Sequence, residues 1–165
     1  MAVMIVVLSL TVETIIQLQR NYTAQTRLIE TQYNARAAMD MMTRLIRTAQ
    51  SIDPDPDGNG VFDSIMIQGD WNPFNGSFDD PYETMTLTTN GGILFKQEPL
   101  DPGPVPFADR IQSTTFTYSD TNDVPLADPI AQASEIAVVR VALVTTSAPN
   151  SPAMALQLAV SMRMR

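Results

Sequence analysis

MAVMIVVLSLTVETIIQLQRNYTAQTRLIETQYNARAAMDMMTRLIRTAQ, residues 1–50, contains neither proline nor glycine, whereas the rest of the chain holds all twelve prolines and all seven glycines. Because these two residues most often interrupt or end a helix, the stretch predicts one helix from about Ala2 to about Gln50. With a rise of about 1.5 Å per residue, this helix is on the order of 70 Å long. A compact domain of this size has a radius of gyration of roughly 15 Å, so we expect the helix to protrude.

The two halves of this helix favour different surroundings. The first ten residues are apolar on every side, and Thr11, Val12 and Ile15–Ile16 extend the apolar run. From Gln17 onward the helix is amphipathic, with one stripe at alternating spacings of three and four: Leu28, Thr31, Ala35, Ala38, Met42, Leu45 and Ala49. We therefore expect an N-terminal segment (residues 1–24) that lies in lipid or among other helices, and a head (residues 25–165) whose part of the helix packs on a sheet.

The chain after the helix predicts about six antiparallel strands. Alternating or β-branched runs bounded by turn residues lie at 64–68, 83–89, 93–97, 110–119, 135–146 and 154–164. Asn90-Gly91-Gly92 is typical of a tight hairpin turn, whereas the four prolines between 99 and 106 indicate an irregular crossing. Trp71, Phe74 and Phe78 indicate a long loop that covers the core. The expected fold class is α+β, a long protruding N-terminal helix packed on an antiparallel sheet.

Composition excludes several function classes. The chain has no cysteine and no histidine, so it lacks a disulfide framework, a thiolate nucleophile and the commonest general base. We expect no enzymatic activity and no small-molecule substrate. The net charge of −8 is divided into +2 for residues 1–51 and −10 for residues 52–165. An acidic body without a basic patch does not bind a phosphate backbone, so nucleic acid is not an expected partner.

A calcium-loop pattern follows the helix. Five residues stand at positions one, three, five, seven and nine of the pattern D-x-D-x-N-G-x-φ-D: Asp55, Asp57, Asn59, Val61 and Asp63. In such loops the side-chain oxygens at one, three and five converge on the cation, glycine at six permits the sharp turn, and the backbone carbonyl at seven is a further ligand. Phe62, at position eight, is expected to pack inward.

The pattern is incomplete, because position twelve is Met66 and the bidentate acid of an EF-hand is missing. Another oxygen donor would be needed, and Asp53 and the acids of residues 71–80 are the candidates. Two interpretations stay open. One is a weak structural calcium site, with an affinity around 10⁻⁴–10⁻³ M, that connects the helix exit to the first strand. The other is a hydrophilic turn held by Asx-type hydrogen bonds.

These features together resemble type IV pilin-like proteins, specifically the PilW/GspJ-type minor pilins and pseudopilins. The residues that carry the resemblance are the apolar start of the helix, RNYTAQTRLIETQYNARAAMDMMTRLIRTAQ (20–50), GGILFKQEP (91–99), VPFADRIQSTTFTYSD (105–120) and EIAVVRVALVTTS (135–147). The resemblance implies a single-pass inner-membrane precursor with its head outside the cytoplasm. It also implies packing of the helix among other pilin-like subunits in a pilus or a type II secretion pseudopilus. The expected assembly residues are Ala2, Val3, Val6, Val7, Leu10 and Ile15.

The sequence departs from that family at its start. The family's basic leader, processing site and acidic residue near the start of the mature helix are not visible, and Glu13 lies too far along to be assigned the last role. We therefore expect this chain to begin inside the apolar helix. The alternative function is a membrane-tethered calcium-binding or adhesive module that acts outside a filament.

Overall fold

The computed structural model describes residues 2–71, 80, 83–127, 130, 133–146 and 153–162; within the first turns of the helix, the described side chains are Met4 and those from Val7 onward. The elements are α1 (Ala2–Thr48), β1 (Ser51–Asp53), β2 (Ser64–Gln68), β3 (Thr84–Asn90), β4 (Ile93–Gln97), β5 (Val105–Asp109), β6 (Ile111–Ser119), a 3-10 helix (Ala133–Glu135), β7 (Val138–Thr145) and β8 (Ala155–Ser161). The α+β fold class is confirmed.

The strands form two antiparallel sheets rather than the single sheet that was expected. One has the order β1-β2-β3-β4-β5 and the other β6-β7-β8. The chain changes sheet at Arg110, the one residue between β5 and β6, whose φ of 59° lies in the left-handed region. The predicted hairpin turn is confirmed, since Gly91 and Gly92 have φ values of 58° and 82°.

Two short strands, β1 and β5, were not predicted. β1 has three residues, too few to show an alternating pattern, and it pairs through Ile52 with Ile67. The prediction of an irregular crossing was wrong for β5, which contains Pro106. Proline cannot donate to a ladder, and it is tolerated here because β5 is an edge strand whose register with β4 shifts between Leu94 and Phe95.

The second half of α1 closes the core by packing on both sheets. It contacts β5 of one sheet and β7 and β8 of the other. Its buried face consists of Thr31, Ala35, Ala38, Met39, Met42 and Ile46, and Ala49, directly after the helix, is buried as well. The predicted stripe is therefore largely confirmed, but Leu28 and Leu45 are only half-buried and Ile46 takes the fully buried position. Sequence spacing alone does not distinguish Leu45 from its apolar neighbour.

The first half of α1 makes a different surface. Every described side chain from Met4 to Thr23 is exposed, and Ala24 is the first that is half-buried. Within the described residues, no helix has an apolar window long enough to cross a bilayer.

Met42→Asp and Ile46→Asp are each expected to lower the free energy of unfolding by about 3 kcal/mol or more, because each buries a carboxylate without a partner. Leu45→Asp should cost less, since Leu45 is half-buried. Ala37→Asp is the control, because Ala37 is exposed on the same helix. This substitution should lower the free energy of unfolding only by the difference in helix propensity between Ala and Asp, about 0.5–0.7 kcal/mol. Urea unfolding measures all four variants, and equal losses at Ala37 and Ile46 would contradict the packing.

Candidate functional site: the acidic loop and the helix exit

The acidic loop, residues 54–63, connects β1 to β2 and is organised by the Asp55 carboxylate. Asp55 Oδ1 accepts a hydrogen bond from the Asn59 N–H at 3.1 Å, and Oδ2 accepts one from the Gly60 N–H at 2.9 Å. The turn needs left-handed backbone at Gly58 and Gly60, whose φ values are 67° and 75°. The first and sixth positions of the predicted pattern are thus brought together, as a cation loop requires.

Asp57 and Asn59 complete the inner side of the loop. The Asn59 Nδ2 donates to Asp57 Oδ2 at 2.8 Å, and the Val61 N–H donates to Asn59 Oδ1 at 2.7 Å. The hydrogen bond from the Gly60 N–H holds the pKa of Asp55 below its ordinary value. The neighbouring Asp55 carboxylate, within hydrogen-bond reach, raises the pKa of Asp57. Two acids that share one site in this way titrate as a pair, and the backbone donors on Asp55 favour the charged form of that carboxylate.

The other predicted ligands lie at the margins of the loop. Asp53 Oδ1 accepts a hydrogen bond from the Asp55 N–H at 3.1 Å, and the Val61 carbonyl accepts one from the Asp63 N–H at 2.8 Å. Among the described residues, no three acidic side chains are grouped as in a formed metal site. Phe74, Phe78 and the acid at 79 lie outside the described residues. The calcium site stays a prediction.

Phe62 packs inward, as expected for position eight. Its ring meets the Tyr118 ring edge-on, with centroids 5.0 Å apart and planes at 88°, and its carbonyl accepts the Phe116 N–H at 2.9 Å. Both contacts join the acidic loop to β6. The Tyr118 hydroxyl is buried, and no described residue forms a hydrogen bond with it. Burial, and to a lesser extent the negative charges of Asp53 and Asp55, raise the pKa of this hydroxyl. Tyr118 lies 56 residues after Phe62 in the sequence, so no local pattern could have identified this contact.

Trp71 covers the helix exit and packs against the core, as predicted for a loop that covers the core, but its contact with the end of α1 was not predicted. Its indole Nε1 donates to the Thr48 hydroxyl at 3.0 Å, at the last residue of α1. The indole lies against Gly69, where a Cβ would be 2.8 Å from two indole atoms and 3.0 Å from the Thr48 carbonyl oxygen. Glycine is therefore required there for close approach rather than for a special backbone angle.

Arg110 is a further important residue that sequence analysis missed. Its guanidinium donates to the Arg27 carbonyl at 2.9 Å and to the Thr31 hydroxyl at 3.2 Å, and it pairs with Glu30 at 3.3 Å. It thus fastens the corner between the two sheets to the middle of α1. No periodicity or motif marks an arginine for this role.

The exposed N-terminal segment is the second candidate site. Of the predicted assembly residues, Val7, Leu10 and Ile15 are 57%, 58% and 49% exposed, and the side chains of Ala2, Val3 and Val6 are outside the described set. The hydroxyls of Thr11 and Thr14 each donate to the carbonyl four residues earlier, at 2.8 Å. These two polar groups are satisfied within the helix, which suits an apolar environment.

The sequence matches no known protein-family model. No curated protein matches it either. The resemblance to pilin-like proteins is therefore still a prediction.

Gly69→Ala should displace the indole and lower the free energy of unfolding by about 1–3 kcal/mol, because the added methyl overlaps Trp71. Trp71 is the only tryptophan, so its fluorescence should shift to the red as the ring becomes more exposed. Gly103→Ala is the matched control, since its Cβ would meet nothing within 4 Å. Unchanged emission in Gly69→Ala would contradict the close approach.

Proposed function

We propose that this protein is a structural subunit, a minor pilin or pseudopilin, that assembles through α1 into a type IV pilus or a type II secretion pseudopilus. The observation that carries the proposal is the division of one unbroken helix. Its second half is buried against two sheets, while its first half extends from the head with large apolar side chains exposed. Such a surface in a lone subunit is an aggregation hazard, so it is expected to have a partner.

The energetics favour assembly through the helix rather than through the heads. Burying roughly ten apolar side chains at about 1.5–3 kcal/mol each outweighs the contacts expected between other surfaces of the subunits. Residues 52–165 carry a net charge of −10, so the heads repel one another at low ionic strength. Neighbouring subunits would therefore be held mainly by packing of one N-terminal segment against another.

This function implies two successive locations for the protein. Before assembly, the N-terminal segment would lie in the inner membrane with the head outside the cytoplasm. After assembly, it would lie among the helices of other pilin-like subunits. The internal hydrogen bonds of Thr11 and Thr14 are compatible with both environments, since neither hydroxyl needs water.

We also propose that the acidic loop binds calcium in a structural role. Asp55, Asp57 and Asn59 would supply side-chain oxygens, Val61 its carbonyl, and Asp63 and Asp53 are the candidates for the remaining positions. Support comes from the two left-handed glycines and from the pair of adjacent carboxylates at Asp55 and Asp57. A divalent cation would offset the repulsion between these carboxylates and hold the loop against β6 through Phe62.

The helix is tested by placing charges in the N-terminal segment of the full chain. Leu8→Arg with Ile15→Arg should remove the protein from the sheared filament fraction of cells that assemble pilin-like filaments. The reason is that a charge cannot be buried among apolar helices without a partner. Gln17→Arg with Gln19→Arg is the matched control, because it adds the same two charges at polar positions of the same helix, beyond the apolar run that ends at Ile16.

The outcome separates the two functions. A filament fraction that contains the control but not the Leu8/Ile15 variant supports assembly. If the unsubstituted chain is found in membranes and never in filaments, the filament function is wrong and a membrane-tethered module acting alone is favoured.

The calcium loop is tested by thermal melting of the full chain with calcium or with a chelator. Calcium at about ten times its Kd should stabilise the fold by about 1.4 kcal/mol and raise the Tm, because it binds only the folded loop. Asp55→Ala and Asp57→Ala should each abolish this increment.

Asp120→Ala is the control for the calcium experiment. Asp120 organises a similar turn by accepting the Asn122 and Val124 N–H groups, both at 2.8 Å. Its loss should lower the Tm but leave the calcium increment intact. Identical melting of the unsubstituted chain with calcium and with chelator would show that the acidic loop is a plain turn.

A further inference from the structure

Among the described residues, no strand pairs with the outer edge of β8, and the strand has none of the sequence features that usually protect such an edge. β8 reads ALQLAVS, residues 155–161, with no charge, no proline and no glycine. Sheets normally protect such an edge with lysine, proline, a bulge or a covering element, because unpaired backbone groups are a template for another strand. Its pairing with β7 is regular from end to end, so no bulge turns the edge away.

The direction of each backbone group in β8 follows from its pairing with β7. At the two ends of the pair, the Thr145 N–H donates to the Met154 carbonyl and the Met162 N–H donates to the Ala137 carbonyl, both at 2.9 Å. In an antiparallel pair these groups alternate, so even-numbered residues of β8 bond to β7. The N–H and carbonyl groups of the odd-numbered residues, Ala155, Gln157, Ala159 and Ser161, point to the open edge.

The other sheet edges differ from this one. In the described part of the chain, β1 contacts the 3-10 helix. β5 contacts α1 as β8 does, but it also contains Pro106 and a register shift in its pairing with β4. β6 is engaged beyond its pairing with β7, because the Phe116 N–H donates to the Phe62 carbonyl and the Tyr118 carbonyl accepts the Leu126 N–H. By contrast, the four outward residues of β8 have exposed side chains and no backbone hydrogen bond to another described residue on that side.

We propose that β8 is a dimerisation edge that pairs antiparallel with β8 of a second copy of this chain, about a two-fold axis at Leu158. This register pairs every residue of the two strands. Ala155 stands opposite Ser161, and Gln157 opposite Ala159, each pair exchanging both backbone hydrogen bonds. The result is one continuous sheet in the order β6-β7-β8-β8-β7-β6.

The side chains of β8 are compatible with pairing to the same strand of a second copy. On the inner face, half-buried Leu158 meets its own equivalent, and half-buried Leu156 meets Val160. On the outer face, each long Gln157 side chain lies opposite a small Ala159, so neither face has a steric clash. The strand carries no charge, so no like charges are brought together, although the whole molecule is acidic.

The two-fold symmetry of the β8 pair determines how its two long helices are oriented. α1 lies on the face of the sheet that includes β7 and β8. A two-fold axis normal to that sheet reverses any direction within its plane, so the two helices leave the pair in opposite directions. Under the proposed function, subunits in a filament instead need their helices side by side and parallel. The β8 dimer is therefore a state of unassembled protein and an alternative to assembly through the helix.

Single cysteines test this register directly, because the chain has none of its own. Leu158→Cys in the full chain, in detergent micelles under mild oxidation, should form a disulfide-linked dimer. Opposed non-hydrogen-bonded residues have Cα atoms about 4.5 Å apart, within disulfide range. Ala155→Cys on the same strand should cross-link several-fold less, since the two Ala155 positions would be roughly 20 Å apart.

A proline substitution tests whether the backbone edge makes the contact. Ala159→Pro, added to Leu158→Cys, should reduce cross-linking to the Ala155→Cys level, because it removes an outward N–H that β7 does not use. Circular dichroism and melting confirm that the fold is retained, and Gln157→Pro serves in the same way if Ala159→Pro does not fold. Equal cross-linking at Ala155 and Leu158, or cross-linking that survives proline in a folded variant, would overturn the proposal.

The same cross-link distinguishes this proposal from the filament function. Leu158→Cys combined with Leu8→Arg and Ile15→Arg should still dimerise, because the N-terminal segment takes no part in the β8 pair. Loss of cross-linking in that combination would show that the contact depends on the helix, and the β8 edge would then be rejected without any consequence for the filament experiment.

Discussion

The packing of the second half of α1 across the junction of two sheets is the constraint on which the rest of the structure depends. Neither sheet covers its own inner face, and the helix reaches β5 of one and β7 and β8 of the other. Small residues, Ala35 and Ala38, let the helix approach closely, while Met42 and Ile46 fill the space beneath it. The core therefore lies between three elements, the helix and the two sheets. Removing the helix would expose the inner faces of both sheets.

Two contacts position that helix along and across the sheets. Arg110, at the corner between β5 and β6, bonds to the Arg27 carbonyl and to Thr31 near the point where α1 enters the head. Trp71 bonds to Thr48 where α1 leaves it. Because one contact acts at each end of the buried section, the length of helix that protrudes is set by the head. The exposed N-terminal segment therefore begins at a fixed point on the head.

The acidic loop and the open edge of β8 are placed by the same framework. The loop follows β1, which begins three residues after α1 ends, and Phe62 joins it to Tyr118 on β6. β8 lies at the outer side of the second sheet, with Leu156 and Leu158 half-buried beside the helix. No described residue forms a backbone hydrogen bond to the outer side of β8, so the backbone there is available to another strand.

Local sequence determined most of the secondary structure. The absence of proline and glycine through residue 50 marked the helix, its spacing marked five of the buried positions, and Asn90-Gly91-Gly92 marked the hairpin, because each depends on neighbours close in the chain. The D-x-D-x-N-G pattern likewise predicted the turn around Asp55 and the inward position of Phe62. The tertiary structure alone decided the split into two sheets at Arg110, the burial of Ile46 in place of Leu45, the cover of Trp71 over Gly69 and the open edge of β8. Each of these depends on contacts between segments distant in sequence, and neither periodicity nor composition encodes which segments meet.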